Sequence, residues 1–365
     1  MTTPTIASVG TAMHRIPLRR PWGPDVTDVR VIAVTVTASD GASGYGFSWT
    51  PTIGSEAVRA VLDHDLAPFV VGLPAEPEIW DTVWARLHEA GGSGITTIAL
   101  AGLDLALWDL AARRDGRSIT EHLGARHESL PVYGSGVNLH YSLPELVAQA
   151  GRWVAAGCVG VKIKVGQPDL VDDLERIAAV RDVIGPSRLL MVDANQRWDL
   201  PTATRAAAAF EGLGLAWLEE PLRAEDLASH VTLRERTSVP IAVGENLHTA
   251  ARFAEYLDAG GADIVQPNIV RVGGITPFLR IARLAEERGV PLHPHLLPEL
   301  SAQVALALGA ESLIEDVEDA GFAQLGALDA SSPVSIEHGA VRSAGLPGLG
   351  MRFATPPTTD PEEAP

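Results

Sequence analysis

Two lysines stand two residues apart in Gly160-Val161-Lys162-Ile163-Lys164-Val165, a stretch otherwise suited to a β-strand. On a strand, residues i and i+2 point to one face, so both ammonium groups aim at the same space. Downstream, Asp193 (in Val192-Asp193-Ala194-Asn195), Glu219 (in Leu218-Glu219-Glu220-Pro221) and Glu245 (in Gly244-Glu245-Asn246) are evenly spaced, since 219 − 193 and 245 − 219 both equal 26. His295 in His293-Pro294-His295 and then Glu315 complete the set. Converging carboxylates cannot all stay ionised without positive charge nearby, because like charges raise one another's pKa. A divalent cation is the simplest neutraliser. All-oxygen ligation with room for water and substrate suits Mg²⁺, with Mn²⁺ the alternative.

The elements that must position these residues are legible as an alternation. Short apolar segments at 131–135, 160–164, 188–193, 215–219, 240–244, 263–266, 291–295 and 312–315 alternate with helical patterns such as 169–183, 201–213, 224–237 and 275–288. Eight strands separated by helices fit a parallel α/β barrel, whose active sites lie at the C-terminal strand ends. The acids, the lysines and His295 all fall at such ends. A doubly wound sheet would need a Gly-rich phosphate loop after its first strand, and Gly134-Ser135-Gly136 lacks the third glycine. Before the barrel, Val31–Thr37 and Gly44–Ser48 read as antiparallel strands, followed by helices near 54–69, 78–90 and 95–114. Ser118-Ile119-Thr120-Glu121 is a capping-box pattern that opens a short helix.

The bulk numbers exclude several classes. With 46% hydrophobic residues, the 365-residue chain is no disordered polymer, and its length suggests two domains. A formal net charge of −18 argues against nucleic-acid partners and against docking on anionic membranes. The lone Cys158 excludes an intrachain disulfide and reads as a small core residue. The N-terminal residues lack a signal pattern, and no uncharged run approaches roughly 18 residues, so a cytoplasmic protein is expected.

The whole constellation (Lys162-Ile163-Lys164, Asp193, Glu219, Glu245, His295 and Glu315) resembles the enolase superfamily, specifically its mandelate racemase subgroup, the mandelate racemase/muconate lactonizing enzyme family. The resemblance spans nearly the whole chain. It implies an α/β fold built as a modified TIM barrel, (β/α)7β, over 128–320, with an N-terminal α+β capping domain over 1–127. A C-terminal segment, 321–355, would return to the cap, and 356–365 is expected to be a disordered tail. The implied chemistry is removal of the proton α to a carboxylate, with the enediolate stabilised by a metal on Asp193, Glu219 and Glu245. Lys164 is the implied base. Lys162 and the metal would lower its pKa, and Lys162 would also bind the substrate carboxylate. Glu315 would hydrogen-bond to that carboxylate, which requires it to be protonated or charge-compensated. His295 would act from the opposite face, whereas His293, deeper in the strand, reads as structural.

One position departs from the pattern. An aspartate after the sixth strand should orient His295, but the residue there is Asn268. Asparagine can accept a hydrogen bond from the ring and hold one tautomer, yet it cannot stabilise an imidazolium. That weakens His295 as a base and favours elimination over two-base racemisation. The expected activity is therefore an acid-sugar dehydratase giving a 2-keto-3-deoxy acid. The alternatives are a cycloisomerase of a sugar lactone or anhydro acid, a racemase or epimerase, and a non-catalytic ligand-binding relative. The partners expected are a small carboxylate substrate and further copies of the chain, from dimer to octamer. Cap loops 19–25 and 49–54 should close the mouth, with Arg19, Arg20 and Trp22 as candidate substrate contacts. Asn195 is a further candidate, and Trp198 either lines the pocket or packs its helix.

Overall fold

The computed structural model describes residues 3–23, 25–51 and 53–354. Pro24 and Thr52, which belong to the two expected cap loops, and the expected tail 356–365 lie outside the described residues. The cap opens with an antiparallel sheet of β1 (Ile6–Pro17), β2 (Asp28–Ala38) and β3 (Ser43–Thr50) in the order β1-β2-β3. The helix Ile95–Arg114 lies across it. This helix is apolar enough to span a membrane by length and composition, but 78% of its most apolar window is buried inside the protein. Its Leu100, Leu103, Leu107 and Leu110 pack into the cap core with Val34 and Val36. Gly46 permits the close contact, since a Cβ there would meet the Gly102 carbonyl oxygen at 2.3 Å.

The barrel strands are β4 (Leu130–Ser135), β5 (Gly160–Lys164), β6 (Leu189–Asp193), β7 (Trp217–Glu219), β8 (Ile241–Val243), β9 (Ile264–Val265) and β10 (Ile314–Val317). They run parallel in the order β4 to β9, and β10 pairs with β4 on its other side. The expected strand at 291–295 is reduced to a single bridge between Val265 and Leu292. Pro291 and Pro294 flank it, and neither has an N–H to give a ladder. Alternation sorts the side chains: Val192 and Leu218 face the helices, whereas Met191 and Trp217 meet Tyr133, Ala242 and Ile264 inside the barrel. That apolar plug is the base on which the polar layer rests.

After the barrel the chain makes a hairpin that the sequence reading did not anticipate. β11 (Val334–Glu337) and β12 (Ala340–Ser343) are antiparallel, and β12 pairs with the start of β4. The two-residue loop has φ of 51° at His338 and 73° at Gly339, the left-handed pair of a tight hairpin turn. The chain then runs back to the cap: Leu349 N–H donates to Asp109 Oδ1 at 2.7 Å, and Phe353 packs on Phe47 and Phe322.

Candidate active site

Parallel register assembles the polar layer. Lys164 pairs with Asp193 across β5 and β6, and Asp193 with Glu219 across β6 and β7. Lys162 lies one layer deeper, opposite Met191. Glu245 follows just beyond the end of β8, and the ligand atoms of Asp193, Glu219 and Glu245 all lie within 4.8 Å of one another. All three side chains are buried. Three oxygen donors at that mutual distance can surround one hard cation, so the residues fit a divalent metal.

Each triad carboxylate has a nitrogen partner in this structure. Lys162 Nζ donates to both Glu219 oxygens at 2.8 and 2.9 Å and pairs with Glu315 Oε1 at 2.8 Å. Lys164 Nζ meets Asp193 Oδ2 at 2.5 Å, and His295 Nε2 meets Glu245 Oε2 at 2.7 Å. The expected depression of Lys164 relies on the bound metal as well as on Lys162. Burial pushes Lys164 down and Lys162 adds to that, but the carboxylates of Asp193, Glu245 and Glu219 together raise it. Burial would likewise push Glu315 up. Lys162 prevails and holds its carboxyl at about 2, so Glu315 is charge-compensated rather than protonated.

The Asn268–His295 pair differs in detail from expectation. The Asn268 carbonyl accepts the Val270 and Arg271 N–H groups at 3.0 and 3.1 Å. That leaves the amide NH₂ to face His295 Nδ1 at 3.1 Å. Asn268 therefore donates to the ring instead of accepting from it. Nδ1 must be the unprotonated nitrogen, and Nε2 carries the proton into the site.

The cavity above this layer holds about 170 Å³. Lys164, Asn195, Glu245, His295, Glu315 and Trp22 line it. Asn195, at a left-handed φ of 45°, donates its N–H to Asp193 Oδ1 at 2.8 Å. Arg19 and Arg20 do not line the cavity. Arg19 pairs with Asp319 at 3.4 Å, while Arg20 pairs with Glu145 and covers the Tyr141 ring. Trp198 packs against Phe210 and is not among the residues lining the cavity. His293 accepts the Leu313 N–H through Nδ1 and stacks on Trp217; burial pushes it down to about 4, so it is neutral. Cys158 is buried as expected, and burial pushes its thiol up to about 11.

Sequence reasoning missed three contributors. Arg271 lines the cavity and donates to the Glu245 carbonyl oxygen at 3.0 Å and to Asn246 Oδ1 at 2.6 Å. Its signal was a cation three residues after Asn268 on the same loop. Asn138 holds the end of β5 by accepting the Lys164 N–H at 2.9 Å. Glu220 is buried behind Glu245 and bonded to Asn246, and burial, then Glu245 and Asp193, raise it well above the usual carboxylate range. The doubled Glu in Leu218-Glu219-Glu220-Pro221 was its only mark.

Fold and site together define a class: a capped parallel barrel with an acid triad facing a lysine pair at the strand ends. Residues 2–124 match the family model "Mandelate racemase / muconate lactonizing enzyme, N-terminal domain", and residues 145–356 match "Enolase C-terminal domain-like". The chain belongs to the mandelate racemase/muconate lactonizing enzyme family of the enolase superfamily. It is 34% identical to a 3,6-anhydro-alpha-L-galactonate cycloisomerase of Streptomyces coelicolor, over 95% of this chain and 96% of that one. It is 38% identical to an L-talarate/galactarate dehydratase of Salmonella typhimurium, over 80% and 74% of the two chains. Among solved structures, L-talarate dehydratase from Polaromonas sp., complexed with Mg and L-glucarate, is similar at a TM-score of 0.85 and 35% identity, with 96% of each chain covered. A Streptomyces coelicolor racemase with bound magnesium is similar at 0.89 and 34%, covering 95% of this chain and 97% of that one.

Proposed function

We propose that this protein is a Mg²⁺-dependent acid-sugar dehydratase that converts its substrate to a 2-keto-3-deoxy acid. Mg²⁺, when bound by Asp193, Glu219 and Glu245, supplies positive charge for the substrate carboxylate and for the charge that develops on it. Lys162 and Glu315, paired to each other at 2.8 Å, form the polar wall where that carboxylate is held. Lys164 Nζ takes the α-proton, and the C–H electron pair moves into the enolate. The β C–O bond then breaks, and the hydroxyl leaves as water along the hydrogen bond from His295 Nε2. The resulting enol takes a proton at the β-carbon and becomes the ketone.

One observation carries this reading: the two faces of the cavity are chemically unequal. Lys164 can accept a proton once neutral, whereas Asn268 fixes His295 with its proton on Nε2. One base facing one donor suits elimination, while racemisation needs two groups that exchange roles. Screening an acid-sugar library with Mg²⁺ tests the proposal; a Lys164→Ala variant that dehydrated its best substrate at the wild-type rate would end it. Cycloisomerisation uses the same asymmetry, and the 34% identity to the anhydro-galactonate cycloisomerase over 95% of this chain favours keeping it as a second reading. Product NMR in D₂O separates a keto-deoxy acid from a rearranged ring. A cytoplasmic homo-oligomer, from dimer to octamer, completes the proposal, and sedimentation velocity on the purified chain checks the assembly.

A further inference from the structure

We infer that the substrate is a monocarboxylate whose far end is uncharged and rich in C–H groups, so aldaric diacids are excluded. The inference rests on the acid-sugar reading above and narrows its substrate class. The cavity has two unlike ends. At the floor, each cation already faces a carboxylate: Lys162 faces Glu219 and Glu315, Lys164 faces Asp193, and Arg271 stands 3.7 Å from Glu245 Oε1. On the cap side the wall is Trp22, Trp49 and Pro51, and Val137, Leu296 and Val317 add apolar surface from the barrel. Ser135 and Asn195 line the cavity without charge, Asn195 beside Asp193.

The cap arginines nearest in sequence are spent elsewhere. Arg19 donates to Asp319 and to the Gln324 carbonyl oxygen, and Arg20 lies 3.5 Å from the centroid of the Tyr141 ring while pairing with Glu145. Among the described residues, Arg271 is the one cation lining this cavity besides Lys164, and NH1 of its guanidinium is held by the Glu245 carbonyl oxygen and Asn246 on the floor side. A second substrate carboxylate would thus lose its hydration against indole and aliphatic carbon with only Arg271, already held through NH1, as a counter-charge, a heavy penalty for a buried ion. The two indoles, with ring centroids 6.4 Å apart, instead offer apolar faces to a hydroxymethyl, methyl or ring-closed terminus.

The test uses matched pairs that differ only at the terminal carbon: gluconate and glucarate, galactonate and galactarate, mannonate and mannarate. Binding to the Mg²⁺-loaded Lys164→Met chain is measured by calorimetry, and thermal shifts of the wild-type chain give the same ranking without the variant. In the tightest-binding pair the monoacid should bind at least about 30-fold better than its diacid. A diacid that binds as well or better overturns the inference, and so does the absence of binding in every pair. Wild-type turnover separates the two levels. Turnover of a diacid would leave the dehydratase reading standing and this inference refuted, whereas monoacid-selective binding without turnover would do the reverse.

Discussion

The floor and the roof of the cavity are built on opposite principles. The floor comes from strand ends of the barrel, and its polar groups pair with one another: Lys162 with Glu219 and Glu315, Lys164 with Asp193, and His295 with Glu245. The roof side includes Trp22 and Pro51 from cap loops and Trp49 from the end of β3, none of them charged. The floor holds its groups by register and mutual attraction, so it can fix a reaction. The roof offers shape and apolar surface, so it can choose among substrates that all share one reacting end.

Breaking the floor should therefore cost turnover, and breaking the roof should cost selection. The largest effect is expected from Lys164→Met, with kcat falling by about 10³-fold or more and KM changing little in steady-state assays. Chelation of Mg²⁺ should abolish turnover and its re-addition restore it. Trp22→Ala should behave in the opposite way, raising KM by roughly tenfold while kcat stays within about twofold. Asn268→Asp would restore an acceptor for a second ring proton on His295. It should raise α-deuterium incorporation into recovered substrate in D₂O by roughly severalfold, and an unchanged rate would show that the amide orientation is not what restrains this histidine.

The smallest effect on activity, though a measurable one on stability, is expected at the seam between the two regions. Asp104, on the long cap helix, accepts Thr276 N–H at 3.0 Å and Thr276 Oγ1–H at 2.6 Å at the start of the barrel helix Ile275–Glu287. Burial pushes its carboxyl up to about 7 despite those hydrogen bonds. Its folded pKa thus exceeds its unfolded one, so the stability it contributes is complete below about pH 4 and is lost as pH rises towards 7. Asp104→Asn should remove that slope. Denaturation midpoints of variant and wild type, compared from pH 4 to pH 7, should shift in the variant's favour as pH rises, by a few kcal/mol at about 1.4 kcal/mol for each pH unit.

Much of the floor was legible because a strand–helix repeat fixes both spacing and height. The 26-residue interval from Asp193 to Glu219 became a direct register pair, and β5 spans Gly160–Lys164 as read. The roof was only half legible. Loops 19–25 and 49–54 supply Trp22, Trp49 and Pro51, but nothing in the sequence reveals that Arg19 and Arg20 turn away to Asp319 and Glu145. Those pairings join positions 300 and 125 residues apart, beyond any local pattern. The Asn268 amide was illegible for a different reason. Its direction is set by two backbone N–H groups whose positions exist only once the loop has folded.

The return of the chain to the cap has a consequence for how substrate enters. The segment near Gly348 is stitched to the cap by Ile119 N–H to the Gly348 carbonyl and Gly348 N–H to the Arg117 carbonyl, both 2.8 Å, and Phe353 is wedged against Phe47. The cap is thus moored at two separate stretches of the chain, like a lid hinged along two edges, and cannot swing clear as a body. Traffic through the mouth falls to the loops bearing Trp22 and Trp49, and the same strap would keep the two halves together after a backbone cut between Gly124 and Leu130.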